Sequence, residues 1–331
     1  MKNPVLLIAL LLLVAAGWLF FSTNDTDHDH DQPHDPEAHA IEAKEPVRAD
    51  GSFTLATSFY PLQFALERIV GDLGTVINIG AGTDPHDFEP TTQDILALQR
   101  ADVVVLQGAD FEPWGDAVMD QLEADGVPVV IATADIELHE GGHHHDEHEH
   151  EDEPDEHDHG AYDPHTWLDP ILFGDMVEHL TEAVVTLDPE NAAAYETNAA
   201  ALQTELAALD AEHASRLASC ALDEIITSHD AFSYLADRYE FAVHSIAGLS
   251  TQDTPSVITL TELREEAAEG IGAILLEENS VAAYGDTLAR ETGLQTLSIN
   301  PIAYIVPAGD NYLTLMRSNL ETFATALQCN E

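Results

Sequence analysis

From residue 52 onward, short apolar runs alternate with stretches in which apolar residues recur every three or four positions. The runs Phe53–Ser58, Thr75–Ile79, Asp102–Leu106 (DVVVL) and Val127–Ala132 (VPVVIA) read as strands. Leu62–Val70, Thr91–Arg100 and Trp114–Ala124 have helical spacing, with Thr91 as a cap. The alternation resumes after residue 220. Strands are expected at Glu224–Thr227, Phe241–Ile246, Ile271–Leu276 and Gln295–Ile299, and helices over Ala231–Tyr239, Ile258–Glu269, Tyr284–Thr292 and Tyr312–Gln328. Short apolar strands alternating with helices indicate parallel sheets with helices on both faces. Between the two blocks, Pro189–Ala218 opens on proline, continues in strong helix formers and contains no glycine. It predicts one helix of about 45 Å, longer than a small domain is wide. The expected class is α/β: two lobes, each a mostly parallel sheet flanked by helices, joined by one long rigid helix.

The remaining segments do not fit this alternation. One lysine, Lys2, precedes the apolar residues 4–21, which predicts an export signal or an N-terminal membrane anchor with everything after it exported. Val14-Ala15-Ala16 offers a cleavage site, but Trp18–Phe21 prolong the apolar run past it and favour an uncleaved anchor. The lipoprotein route is closed, because the first cysteine is Cys220. Residues 22–51 read as an acidic, disordered tether that includes His28, His30, His34 and His39. The first lobe is then 52–188, the linking helix 189–219 and the second lobe 220–331. Within the first lobe, HEGGHHHDEHEHEDEPDEHDHG (139–160) has no apolar side chain and is expected to form an exposed, mobile loop.

Charge narrows the choice of partners. Ten basic residues against 62 acidic give a formal net charge of −52. That balance excludes a nucleic-acid-binding surface and favours cations. Cys220 and Cys329 either pair in an oxidising compartment or remain two buried thiols.

Candidate chemistry begins with a repeat. Asp84-Pro85-His86 and Asp163-Pro164-His165 place a histidine behind the same rigid dipeptide twice, and a third histidine, His229, sits where the first strand of the second lobe ends. Ligands of open α/β sheets collect at the carboxyl ends of the strands, so loops from both lobes can bring three imidazoles into one cleft. Imidazole nitrogen is a preferred zinc ligand, and proline stiffens two of the loops. Asp84, Asp163 and Asp230 each lie within two residues of one of these histidines, and one or more of them can orient a ring through its second nitrogen. A single loop histidine is more often only a hydrogen-bonded residue. His179, His213 and His244 fall in predicted helices or a strand and read as structural or surface residues.

GTDPHDFEPTTQDILALQRADVVVLQG, DPHTWLDP, DPENAAAYETNAAAL and SHDAFSYLADRYEF together resemble the zinc-binding, ZnuA-like members of the cluster A-I solute-binding proteins, over about residues 52–331. These are extracytoplasmic receptors of metal ABC transporters. The resemblance implies that His86, His165 and His229 bind the metal, and histidine rather than glutamate at 229 points to Zn2+ over manganese. It implies a monomeric, non-enzymatic receptor, periplasmic or otherwise extracytoplasmic, whose partners are a membrane permease and its ATPase. Relatives often carry an aspartate near the C-terminus as an oxygen ligand, where this chain has Asn300, so a three-histidine site completed by water or by another acid is expected. Zinc receptors of the family often carry a His-rich insert, which implies weak zinc collection by His139, His143, His144, His145, His148, His150, His157 and His159. A zinc hydrolase, with the metal activating a water, is the competing reading, although no GxSxG motif is present. A surface adhesin or a zinc buffer on the same scaffold are the others.

The charge imbalance generates the first prediction. At molar salt the Debye length falls to about 3 Å and self-repulsion is largely screened. The melting temperature should therefore rise steadily from millimolar to molar NaCl, and a flat profile by differential scanning fluorimetry would remove the electrostatic argument.

Overall fold

The computed structural model describes residues 53–140, 162–251, 253–268, 270–277 and 282–330. In the first lobe the strands β1 (Phe53–Thr57), β2 (Gly74–Asn78), β3 (Val103–Leu106) and β4 (Val129–Ile131) form a sheet in the order β2-β1-β3-β4, with every neighbouring pair parallel. The helices α1 (Tyr60–Val70), α2 (Thr92–Leu98) and α3 (Gly115–Asp125) connect them. Thr91 caps α2 in a reciprocal capping box with Asp94. All four residues of β3 are buried, as its uniformly apolar sequence requires of a central strand.

The chain then departs from expectation. Pro170–Leu187 forms an eighteen-residue helix, α4, which holds His179 in the helical stretch expected of it but whose bounds were not read from the sequence. Its first residue, Pro170, closes the DPHTWLDP motif. Asp169 caps it through Ile171 N and Leu172 N, and Pro170 occupies the first turn, where no N–H is needed. The long connecting helix, α5, runs over Ala192–Leu217 after a single 3-10 turn at Pro189–Asn191. It buries Tyr195, Ala199, Leu202, Leu206, Leu209, His213 and Leu217, a three- and four-residue spacing that makes one continuous stripe.

The second lobe repeats the first. Strands β5 (Glu224–Thr227), β6 (Ala242–Ser245), β7 (Ile274–Leu276) and β8 (Thr296–Ser298) pair in parallel in the order β6-β5-β7-β8. The helices α6 (Ser233–Tyr239), α7 (Val257–Glu266), α8 (Ala282–Thr292) and α9 (Tyr312–Ala326) complete it. Cys220 and Cys329 form a disulfide that joins the two ends of this lobe.

The lobes share one hydrophobic core. It runs from Phe53, Leu55 and Leu62 through Trp167, Phe173 and α5 to Phe232, Tyr312 and Phe323. Tyr312, fully buried, stacks on both Phe173 and Phe64 of the first lobe and donates its hydroxyl to Trp167 O at 2.6 Å. Trp167 Nε1 donates in return to Pro301 O at 2.9 Å. Arg238 of α6 holds the carboxylate of the cap residue Asp169 at 2.5 Å. Two further arginines fasten α5 to its neighbours: Arg68 of α1 to Glu205 and Arg317 of α9 to Glu212. Among the described residues no helix is long and apolar enough to cross a membrane; the expected anchor, residues 4–21, and the tether lie outside them.

Of the histidines read as structural, His179 pairs with Asp135 and His244 with Glu224 and Glu266. His213 is fully buried in α5, with Nδ1 against Leu209 O and Nε2 without a partner, its ring stacked on Tyr239. Burial lowers its pKa below 6.5, against the raising effects of the Leu209 carbonyl and the Glu212 and Asp210 charges; Arg317 lowers it further. The unfolded chain takes up this proton near 6.5 and the folded chain does not, so stability from this group is present above that pH and lost below it. His213→Leu should flatten the loss of stability between pH 7.5 and 5.5, by up to about 1.4 kcal/mol per pH unit at one proton. Urea denaturation of both proteins at the two pH values measures it.

Candidate metal centre

The centre lies at the carboxyl ends of both sheets, where strand order reverses in each: beside β1 and β3 in the first lobe, beside β5 and β7 in the second. His86 is carried by the loop after β2. That loop crosses the end of β1 so closely that a Cβ on Gly80 would sit 2.2 Å from Ser58 O, which makes glycine obligatory there. Asp84 Oδ1 then accepts the His86 backbone N–H at 3.1 Å. His165 stands in an equivalent turn, with Asp163 Oδ1 accepting its backbone N–H at 2.9 Å and its ring Nδ1 at 2.7 Å. His229 follows β5, and its Nδ1 is 2.5 Å from Glu277 Oε1, an oxygen that also accepts Ser228 Oγ at 2.8 Å.

The structure brings His86, His165 and His229 together, with one ring nitrogen of each within 4.8 Å of the others. His165 Nε2 is 3.4 Å from His86 Nε2 and 3.4 Å from His229 Nε2. Four ligands at about 2.0–2.1 Å from a tetrahedral zinc stand about 3.3–3.4 Å apart, so the observed spacing is that of such a polyhedron. His165 and His229 are buried, and His86 keeps some exposure. Phe111 lies edge-on to His86 at 5.1 Å between centroids and also faces His165 and Trp167, making an apolar wall. Phe111 is held in turn by a strained loop. Ala109 and Asp110 have φ of 55° and 57°, and the buried Glu112 carboxylate accepts Gln107 N, Gly108 N and Ser58 Oγ.

The electrostatics follow from burial and pairing. His86 is pushed well below its ordinary pKa by burial and then by His165 and His229. Burial pushes His229 the same way, but the Glu277 charge and hydrogen bond outweigh it and raise the group, with help from Asp84 and Asp230. Burial would raise Asp163, yet its bonds to His165 and Ser233 bring it below the usual carboxylate value.

Several predicted residues sit elsewhere. Asp163 orients its histidine ring, but Asp84 holds only the backbone of His86. The Nδ1 of His229 is taken by Glu277 rather than by neighbouring Asp230, whose backbone N–H goes to Gly248 O. Glu277 was missed, and its signal was the first of two acids, Glu277-Glu278, directly after the apolar ILL run of β7, beside the strand that delivers His229. The Asn300 side chain closes its own turn, donating to Ile305 O and accepting Ile302 N, and it shares the wall of a small cavity of about 70 Å³ with Glu277. His139 stacks on Tyr234 at 4.0 Å and approaches Asp237 at 3.6 Å, so the root of the insert rests on the second lobe. His143, His144, His145, His148, His150, His157 and His159 lie outside the described residues.

Residues 55–326 match the model of the ZnuA family, described as the zinc-uptake complex component A, periplasmic. The zinc-binding lipoprotein AdcA of Streptococcus pneumoniae serotype 4 is 34% identical over 286 residues, 83% of this chain and 56% of AdcA; the chain thus spans little more than half of that relative. The high-affinity zinc uptake system protein ZnuA of Bacillus subtilis is 34% identical over 279 residues, 82% of this chain and 87% of that protein. The crystal structure of the Zn(II)-bound ZnuA-like domain of S. pneumoniae AdcA superposes with a TM-score of 0.69 at 31% identity, covering 84% of this chain and 99% of that one. Two parallel-sheet lobes flanked by helices are also the fold of this ZnuA-like neighbour. The chain belongs to the ZnuA family of zinc-uptake components.

The Glu277 contact makes a spectroscopic prediction. With Nδ1–H donated to the carboxylate, the neutral form of metal-free His229 should carry its proton on Nδ1 and leave Nε2 unprotonated. Long-range 15N–1H spectra of histidine-labelled protein should show that tautomer, and Glu277→Leu should abolish it.

Proposed function

We propose that this chain is an extracytoplasmic receptor that captures Zn2+ between its lobes and delivers it to the permease of an ABC-type metal importer and its ATPase. One observation carries the reading: three imidazole Nε2 atoms from two lobes, spaced at 3.4 Å along two edges, the separation of adjacent ligands around tetrahedral zinc. Nitrogen donors favour zinc over manganese, which prefers carboxylate and water oxygens. The names of the relatives support the same cargo. Water completes the shell, because the Asn300 side chain is engaged in its own turn.

In this reading the residues divide the work. His86, His165 and His229 hold the ion. Asp163 and Glu277 fix the rings of His165 and His229 and raise their basicity as ligands. Phe111 and Trp167 exclude water from one side. No step of bond breaking is assigned: both carboxylates lie on the Nδ1 side of their histidines, away from the Nε2 atoms that face the ion, and neither serves as a general base. The insert, residues 139–160, collects zinc weakly and raises its local concentration near the cleft.

Competition titration with a zinc chelator, with and without residues 139–160, tests the assignment. The expected outcome is one tightly bound Zn2+ per chain in both forms, additional weak sites only when the insert is present, and a loss of more than about a hundredfold in affinity for His165→Ala. Equal preference for Mn2+, or tight binding that survives His165→Ala, overturns it.

A further inference from the structure

The two Asp-Pro-His segments share more than their spelling. In each, one carboxylate oxygen accepts the backbone N–H of its own histidine, Asp84 Oδ1 from His86 and Asp163 Oδ1 from His165. In each, the second oxygen accepts a hydroxyl from the opposite lobe. Thr251 Oγ1 donates to Asp84 Oδ2 at 2.9 Å, and Ser233 Oγ donates to Asp163 Oδ2 in a short bond. The turn itself needs only Oδ1, so the second bond is not a by-product of local folding. Nor do the two hydroxyls belong to one element: Thr251 stands in the loop after β6 and Ser233 in the first turn of α6. Tyr234, beside Ser233, adds a bond from its hydroxyl to Asp163 O at 2.7 Å.

The arrangement is asymmetric between the lobes. His229 and its carboxylate Glu277 both come from the second lobe. The second lobe therefore owns one complete ligand and grips the other two by their aspartates. A carboxylate that accepts a hydroxyl forms a charge-assisted bond, stronger than a neutral one. Pro85 and Pro164 lock φ between each aspartate and its histidine, so a shift of the carboxylate is passed to the imidazole rather than absorbed.

We propose that Ser233 and Thr251 are positioning residues through which the second lobe holds His165 and His86 against His229, acting on them through Asp163 and Asp84, and that they set the rate at which the captured ion leaves. This rests on the zinc-receptor reading above. Association needs only an accessible cleft, whereas departure requires the ligands of the two lobes to part, and these bonds resist that parting.

The test uses the full chain with Zn2+, measuring association and chelator-driven dissociation by stopped flow in wild type, Ser233→Ala, Thr251→Val, the double variant, and the conservative Ser233→Thr and Thr251→Ser. Each single loss should raise the dissociation rate about tenfold and the double variant more, with one zinc retained. Association should stay within about twofold. The conservative variants should restore slow release. Wild-type dissociation rates in Thr251→Val and in the double variant overturn the proposal, as does a lower melting temperature of the metal-free variants with release unchanged, which marks the hydroxyls as structural only. Thr251→Val alone decides the question if Ser233→Ala does not fold, since it reports on the His86 loop. Zinc content of the wild type is measured first: a wild type that takes up no zinc fails the receptor reading itself, a different result from a zinc-loaded family of variants with equal release.

Discussion

Three imidazoles can converge on one buried point only if their rings are turned the same way, and two buried carboxylates fix that orientation for two of them. Asp163 and Glu277 each hold the Nδ1 of one ring, which leaves Nε2 as the free nitrogen of that ring. Neither carboxylate would be tolerable alone at this depth. Each is stabilised by further donors, backbone and Ser233 for Asp163, Ser228 for Glu277. The rest of the fold can be understood as the means of delivering these pairs. Parallel strands end at one edge, the order of each sheet reverses there, and the loops that leave the strands carry the histidines.

How much of this was legible follows from what kind of signal each part leaves. The strands were readable because central parallel strands are apolar on both faces, as VVVL of β3 illustrates, and the start of α2 because Thr91 and Asp94 are three residues apart. The helical stretch around His179 was legible but the start of α4 was not, because its first residue, Pro170, closes the motif that carries His165. The histidines stood out through the repeated Asp-Pro-His. Their partners stood out only when local: Asp163 is two residues from His165, whereas Glu277 is 48 residues from His229 and reaches it through the pairing of β5 with β7. Tertiary neighbours across a sheet have no sequence spacing to betray them. Asn300 is the converse. Its position was found, but its role is local, closing a turn around Ile302, which adopts a φ of 59°.

The connecting helix does more than hold the lobes at a distance. Its buried stripe belongs to the same core as both lobes, and Tyr312 is inserted between Phe64 and Phe173 with its hydroxyl satisfied across the boundary. A wide hinge motion would expose this apolar surface to water, at a cost of roughly 25 cal/mol for every Å² uncovered. Motions that admit or release an ion are therefore confined to the loops at the sheet ends.

The distribution of the few cations has a consequence for encounter with small ions. Arg68, Arg216, Arg238 and Arg317 are each paired with a carboxylate within the protein, three of them along the connecting helix and the fourth across the lobes. Little positive potential is left to offset 62 acidic residues, so the molecule carries a dense atmosphere of counter-ions in which divalent cations are enriched over the bulk. In dilute medium that atmosphere extends tens of ångströms and gathers ions from afar; in brine it contracts to the width of a water layer. There, only the field inside the cleft mouth still distinguishes a doubly charged ion from the sodium around it, and selection passes from the surface to the three nitrogens.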